Sequence, residues 1–214
     1  SDLDLPVFNG KYSASCYIDG TISALANMSE NRGISLAKLL REAKAVFMHR
    51  PFHKMPLNAF SISYLYALAN GDENDNQELD SLIAQSGIQP EEIKKELNER
   101  PDLLEFLQTD INKDLFPKTS RALKALNKIK PFKDKVLSKL KLGNELTKEL
   151  GNIYSGSIFA WLAAGIEDSM KNGKTLNGQE AILIGYGSGD AAEVIPISFT
   201  QNCFENQRNV KYSE

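Results

Sequence analysis

The stretch Ala181-Ile182-Leu183-Ile184-Gly185-Tyr186-Gly187-Ser188-Gly189, followed by Glu193-Val194-Ile195-Pro196-Ile197-Ser198-Phe199, decides the fold class. A short apolar run stopped by glycines reads as a buried strand, and the β-branched 193–199 segment reads as a second strand. The glycines between them invite a dinucleotide-binding interpretation, which the residues do not support. The spacing is GxGxG rather than GxGxxG, and the chain returns to Val194-Ile195 within a few positions. No helix fits there to present its N-terminus to a pyrophosphate. The cluster is therefore read as a tight strand-to-strand turn, whose glycines let backbone N–H groups or the Ser188 hydroxyl approach a ligand closely.

Outward from that hairpin, Tyr154 to Met170 has helical spacing, with Ile158, Trp161, Leu162 and Ile166 along one side. Ser155 reads as its cap. Asn152, in the turn Gly151-Asn152-Ile153-Tyr154-Ser155-Gly156-Ser157, is the polar residue there with least structural reason to be present. Further upstream, Leu36 to Ala43 is an amphipathic helix, Ala45-Val46-Phe47-Met48 a buried strand ending at His49, and Ala59 to Ala69 a helix that stops near Gly71. Helices alternating with apolar strands argue for α/β architecture.

The segment between these flanks differs in charge. Asp72 to Asp114 holds thirteen acidic residues against four basic, and Lys118 to Lys148 ten basic against two acidic. Pro90 with Glu91-Glu92, Pro101-Asp102 and Thr119-Ser120 read as helix starts, Gly87 as a stop, and Leu123, Leu126 and Ile129 recur at helical spacing. The middle, about 72–148, is read as helical, either as solvated helix faces or with its basic half drawing in an anionic ligand.

With 214 residues, 42% hydrophobic and 25% charged, the chain has ordinary globular proportions. No apolar run approaches the roughly 20 residues that span a bilayer, which argues against an integral membrane protein. Lys plus Arg 25 against Asp plus Glu 28 gives a net charge of −3, which argues against a globally basic nucleic-acid binder. Cys16 and Cys203 lie too far apart in sequence for a CxxC redox or zinc pair. Two cysteines in this length fit a reducing, cytoplasmic compartment, with one disulfide left open. The chain opens Ser1-Asp2-Leu3-Asp4-Leu5-Pro6, without Met or a signal pattern, and reads as a processed chain or a piece of a longer one.

Among residues able to carry chemistry, His49 stands at a strand end before a Pro51 turn, where α/β folds place reactive groups. Lys54, five residues on, falls at a helix start, where a cation opposes the helix dipole unless an anion offsets it. His53 reads as an exposed loop side chain. Cys16 and Cys203 have no His, cation or Gly-rich turn beside them to activate a thiolate and read as buried thiols.

Four motifs fall in one order: Val7-Phe8-Asn9-Gly10-Lys11-Tyr12-Ser13 with Cys16-Tyr17, His49-Arg50-Pro51-Phe52-His53-Lys54-Met55, Gly151 to Ser157, and Gly185 to Gly189. Together they resemble the C-terminal half of the 3-hydroxy-3-methylglutaryl-CoA synthase family over nearly the whole chain, 1–214. Asp114 to Thr119 is similar to the connection that precedes that family's last catalytic motifs. The resemblance implies a thiolase-like fold, one half of a two-half αβαβα architecture with a helical charged insertion. It implies an acyltransferase of the mevalonate route to isoprenoids that condenses acetyl-CoA with acetoacetyl-CoA. The nucleophilic cysteine and the proton-transferring glutamate would lie in an N-terminal half, so this chain alone is expected to be inactive.

Carried over by motif, His49 is the implied catalytic histidine, Lys54 contacts CoA, Asn152 and Ser188 contact the acyl portion, and Tyr154 lies beside them in its motif as a further substrate-binding residue. The implied partners are CoA thioesters, the N-terminal half and, at full length, a second copy in a homodimer. No cofactor, metal, nucleic acid or membrane is implied. Asn58 stands where many members have a second lysine, which weakens phosphate anchoring or moves it to the basic middle. Two other readings stay open: a β-branching synthase of polyketide assembly taking acyl groups from carrier proteins, and a non-catalytic thiolase-like interaction module.

Overall fold

The computed structural model describes residues 10–110, 112–148, 150, 153–187 and 191–203. Three strands form its sheet: β1 (Ala45–Met48), β2 (Glu180–Gly187) and β3 (Ala191–Ser198), in the order β1-β2-β3. β1 and β2 run parallel with Phe47 opposite Leu183, and β2 and β3 run antiparallel with Gly187 opposite Ala191. The 193–199 expectation thus gives a hairpin partner to β2, and residues 188–190, including Ser188, lie outside the described residues.

Each face of the sheet takes one helix. α1 (Gly10–Arg32) covers the face that bears Ile184, Tyr186 and Ala192, with α3 (Lys54–Ala69) packed along it. A Cβ on Gly20 would lie 3.2 Å from the Cβ of Ala192, so this glycine sets how closely α1 approaches the sheet. α9 (Gly156–Lys171) lies on the opposite face, where Trp161 meets Phe47 edge-on with centroids 6.3 Å apart. A Cβ on Gly165 would come within 2.5 Å of the Phe47 ring, so α9 sits as near β1 as a residue without a side chain allows. Val46, Phe47, Met48, Ala181 and Ile184 are all buried, as expected of strands covered on both faces.

Sequence patterning assigns no element to residues 10–32, yet they form the longest helix described. Its buried positions include Ser15, Cys16, Tyr17 and Thr21 beside Ile18, Ile22 and Leu25, so polar and β-branched residues obscure the apolar stripe. Tertiary packing against β3 and α3 overrides weak propensity here.

The middle is helical. α2 (Leu36–Glu42) precedes β1, and α4 (Glu73–Ile83), α5 (Pro90–Asn98), α6 (Leu103–Thr109), α7 (Pro117–Leu126) and α8 (Lys130–Lys135) follow α3. Asp72 and Asp75 close a capping box on α4, Asp102 caps α6 by accepting from the Glu105 N–H at 3.1 Å, and Gly87 takes a left-handed φ of 72°. Thr119 and Ser120 are not the cap of α7. That helix begins at Pro117, and Glu96 of α5 serves its free N–H groups instead: one carboxylate oxygen accepts from Lys118 N–H at 2.9 Å, the other from Thr119 N–H at 2.7 Å and from the Thr119 hydroxyl at 2.6 Å. Pro117 needs no such acceptor, and a carboxylate at a helix N-terminus is favoured by the dipole.

Candidate functional site

Because β1 and β2 are parallel, their carboxyl ends lie together, and the N-terminus of α9 meets them there. Open α/β sheets hold ligands at this end. His49 continues the ladder just past β1, its N–H donating to the Ile184 carbonyl at 2.8 Å. Its own carbonyl accepts from the Tyr17 hydroxyl at 2.6 Å, so α1 pins the strand end. Tyr17 is fully buried and packs edge-on to Tyr186 with centroids 5.1 Å apart. Burial, then the neighbouring Tyr186, drives the Tyr17 phenol far above its usual range, so it stays a donor at every relevant pH.

The His49 ring is held from the α9 side. Nδ1 lies 3.0 Å from the Tyr154 carbonyl and 3.2 Å from the Ser157 hydroxyl oxygen. Tyr154 adopts φ 54°, the only left-handed non-glycine residue described, and this turn directs its carbonyl toward the ring. Such a backbone costs about 1–3 kcal/mol and persists where surrounding contacts hold it. Burial lowers the His49 pKa below the ordinary imidazole value, and the hydrogen bond to the Tyr154 carbonyl opposes that in part. The imidazole is therefore neutral at neutral pH.

Arg50 is buried beside it. Its guanidinium reaches the Asn144 side chain at 3.0 Å and the Thr147 hydroxyl at 2.5 Å, lies 5.2 Å from the Trp161 ring centre, and donates to His53 Nδ1 at 2.7 Å. A guanidinium only donates, so Nδ1 of His53 is the acceptor and its proton sits on Nε2. Burial, then the charges of Arg50 and Lys148, lowers the pKa of His53. Lys54 is exposed and opens α3 with no acidic residue in that helix's first turn. Arg50, Lys54 and Lys148 thus surround His53 with positive charge, offset by Glu145.

Of the residues singled out from sequence, the structure joins His49 and Tyr154, and it does so through the Tyr154 carbonyl. The Tyr154 side chain is 75% exposed. The helix begins at Gly156 rather than Tyr154, and Ser155 stands at its N-cap without a capping hydrogen bond. Asn152 and Ser188 lie outside the described residues. Cys16 and Cys203 are buried thiols, not joined in a disulfide. Sequence reasoning gave no role to Ser157, Tyr17 or Arg50, although all three lie inside the quoted motifs. Their hydrogen bonds span more than thirty residues of sequence, and no local pattern carries that information.

The hydroxymethylglutaryl-coenzyme A synthase C-terminal family matches residues 3–213. The chain belongs to this family. No curated protein matches it significantly. Among solved structures, MvaS in complex with 3-hydroxy-3-methylglutaryl coenzyme A aligns over 94% of this chain and 38% of its own, at 18% identity and a TM-score of 0.57. A crystal structure of an HMG-CoA synthase complexed with CoA aligns over 99% of this chain and 39% of its own, at 20% identity and a TM-score of 0.45. The first of these bears out the thiolase-like α/β fold that the motifs imply. The chain spans about two fifths of the length of both. No helix among the described residues is long and apolar enough to cross a membrane.

Proposed function

We propose that this chain is the C-terminal half of an acyl-CoA condensing enzyme that joins acetyl-CoA and acetoacetyl-CoA to give 3-hydroxy-3-methylglutaryl-CoA, with His49 exchanging the proton at the condensing carbonyl. The observation that carries the reading is the environment of His49. Nδ1 is committed to the Tyr154 carbonyl, and among the described residues no hydrogen bond reaches Nε2, which leaves that nitrogen for a substrate oxygen. As the new carbon–carbon bond forms, the acetoacetyl carbonyl becomes an alkoxide. Nε2 of the neutral ring first takes up a proton, and the imidazolium gives it to that oxygen and returns to the Nδ1–H form. The proton that the acetyl methyl loses to the glutamate of the N-terminal half balances it over the turnover. Lys54, with Arg50 and Lys148 near it, suits the phosphates of CoA, with the ammonium as a point charge on a flexible stem. Asn152 and Ser188 are proposed to contact the acyl portion, with Tyr154 beside them.

The nucleophilic cysteine and the glutamate belong, on this reading, to an N-terminal half. Apolar side chains suit such a partner: Phe159 is 67% exposed on α9, a helix whose other side is already in the core, and Ile195 on β3 is 47% exposed. A homodimer at full length and a cytoplasmic location go with the same proposal.

The test uses the complete enzyme. His49→Ala is expected to slow condensation about 10²–10⁴-fold while acetylation of the partner half's cysteine persists. Condensation at the wild-type rate overturns the role. Given labelled acetyl-CoA, this chain alone is expected to take up no acetyl group by intact mass, and a stoichiometric adduct on Cys16 or Cys203 overturns the division of labour.

A further inference from the structure

We propose that Ser157 is a positioning residue for His49, fixing the imidazole in the Nδ1–H tautomer so that Nε2 is the nitrogen that gains and loses the proton. The inference rests on the reading of His49 as the proton-transfer group, and it concerns a residue to which the motif reading gave no task.

The argument is one of donors and acceptors. The Tyr154 carbonyl can only accept, and it lies 3.0 Å from Nδ1, so Nδ1 carries hydrogen in both charge states of the ring. The Ser157 hydroxyl donates to that same carbonyl at 2.7 Å, and its oxygen accepts from the Arg50 N–H at 3.1 Å. With its one hydrogen committed, the Ser157 oxygen presents a lone pair to Nδ1 at 3.2 Å and acts as a second acceptor. The opposite tautomer would set a bare nitrogen against two oxygen lone pairs. Ser157 also holds the Tyr154 carbonyl in place, through its hydroxyl and through its own N–H at 3.1 Å, and so supports the left-handed turn that aims it. Ser157 is buried, and its hydrogen bond to the Arg50 N–H ties the first turn of α9 to the residue following His49. The neighbouring imidazole takes the other tautomer for the same kind of reason: His53 Nδ1 faces a guanidinium and must accept. Two histidines four residues apart are thus set in opposite protonation patterns by what their Nδ1 atoms meet.

Nitrogen-15 NMR of the two imidazoles in this chain reads the tautomer without any need for activity. The expected result is His49 as the Nδ1–H form throughout the neutral range, a mixture of tautomers in Ser157→Ala, and return to the single form in Ser157→Thr, which restores the hydroxyl. His49 as the Nε2–H form in the wild-type chain overturns the proposal, whatever the variants do, and so does a Ser157→Ala spectrum with the wild-type tautomer. In the complete enzyme, Ser157→Ala is expected to lower kcat about tenfold with KM nearly unchanged and to displace the pH profile, and Ser157→Thr to recover most of the loss. A failed role for His49 would appear differently, as an active His49→Ala enzyme with the NMR pattern intact.

Discussion

The carboxyl end of the sheet and the charged helical middle satisfy their polar groups in opposite ways. At the sheet end, Tyr17, Tyr154, Ser157 and Arg50 converge from α1, the turn before α9, α9 itself and the β1–α3 loop, and their hydrogen bonds are buried or part-buried. In the middle, carboxylates serve nearby helices through part-buried and exposed contacts: the Asp72–Asp75 capping box, Glu96 on the start of α7, the Lys118–Glu92 pair at 2.8 Å, and Glu78 shared by Arg41 at 2.8 Å and Lys135 at 2.9 Å. Buried networks are costly to leave half-made and so hold one geometry, whereas exposed pairs contribute about 0–1 kcal/mol each and tolerate rearrangement. The difference assigns the two regions their tasks. One is built to hold a ring still, and the other to carry charge on a stable helical scaffold.

The largest expected contrast comes from removing the support common to the sheet end. Trp161 is 2% exposed, donates from Nε1 to the Leu142 carbonyl at 2.9 Å, meets Phe47 and lies over Arg50. Trp161→Ala is expected to cost about 3–5 kcal/mol by urea denaturation, as for other large side chains truncated in cores, and to broaden the His49 imidazole signals. A loss under about 1 kcal/mol would mean that α9 is held chiefly by contacts elsewhere. In the middle, Glu96→Gln keeps the shape but removes the carboxylate from three donors. The expected cost is about 1–2 kcal/mol, with the His49 signals unmoved. If the histidine responds to Glu96 as it does to Trp161, the two regions are not independent and the contrast fails.

How much of this was legible in sequence follows from the range of the interactions. β1 and the start of β2 are short apolar runs, so local pattern sufficed to find them, but β2 continues through Gly185 and Gly187, which pair with Glu193 and Ala191 where the sequence suggested a turn. Gly87, Pro90 and Asp102 act within their own turns and were equally readable. α1 was not, because its buried face includes Ser15 and Thr21, which reveal their role only against β3 and α3. Thr119 looked like a cap because Ser and Thr usually are, and the carboxylate that displaced it comes from twenty-three residues away. At the site, His49 was legible from its place at a strand end. Tyr154 was singled out, yet it acts through a backbone carbonyl, an atom every residue possesses and no sequence displays.

The smallest expected effect is a split in acid stability. For His49, burial lowers the pKa in the folded state below the unfolded value of 6.5, so the folded chain binds fewer protons than the unfolded one in that interval. The stabilisation is fully present above the unfolded value and is lost as pH falls from there through the folded one. His53, lowered by burial and by Arg50 and Lys148, adds to the same window. Glu78 behaves differently. Burial pushes its carboxyl up, but the hydrogen bonds from Lys135 and Arg41 outweigh that and bring it below its ordinary 4.5. Its contribution is present above that value and is lost only as pH falls below it. Chemical denaturation across pH 7 to 3 is therefore expected to show stability declining in two stages, the upper from the sheet end and the lower from the middle. His49→Gln should shrink the upper stage without abolishing it, because His53 remains, and Glu78→Gln should reduce only the lower. If the wild-type chain instead gains stability over His49→Gln as pH falls through 6.5, folding raises the His49 pKa rather than lowering it, and the neutral imidazole described for the site is wrong.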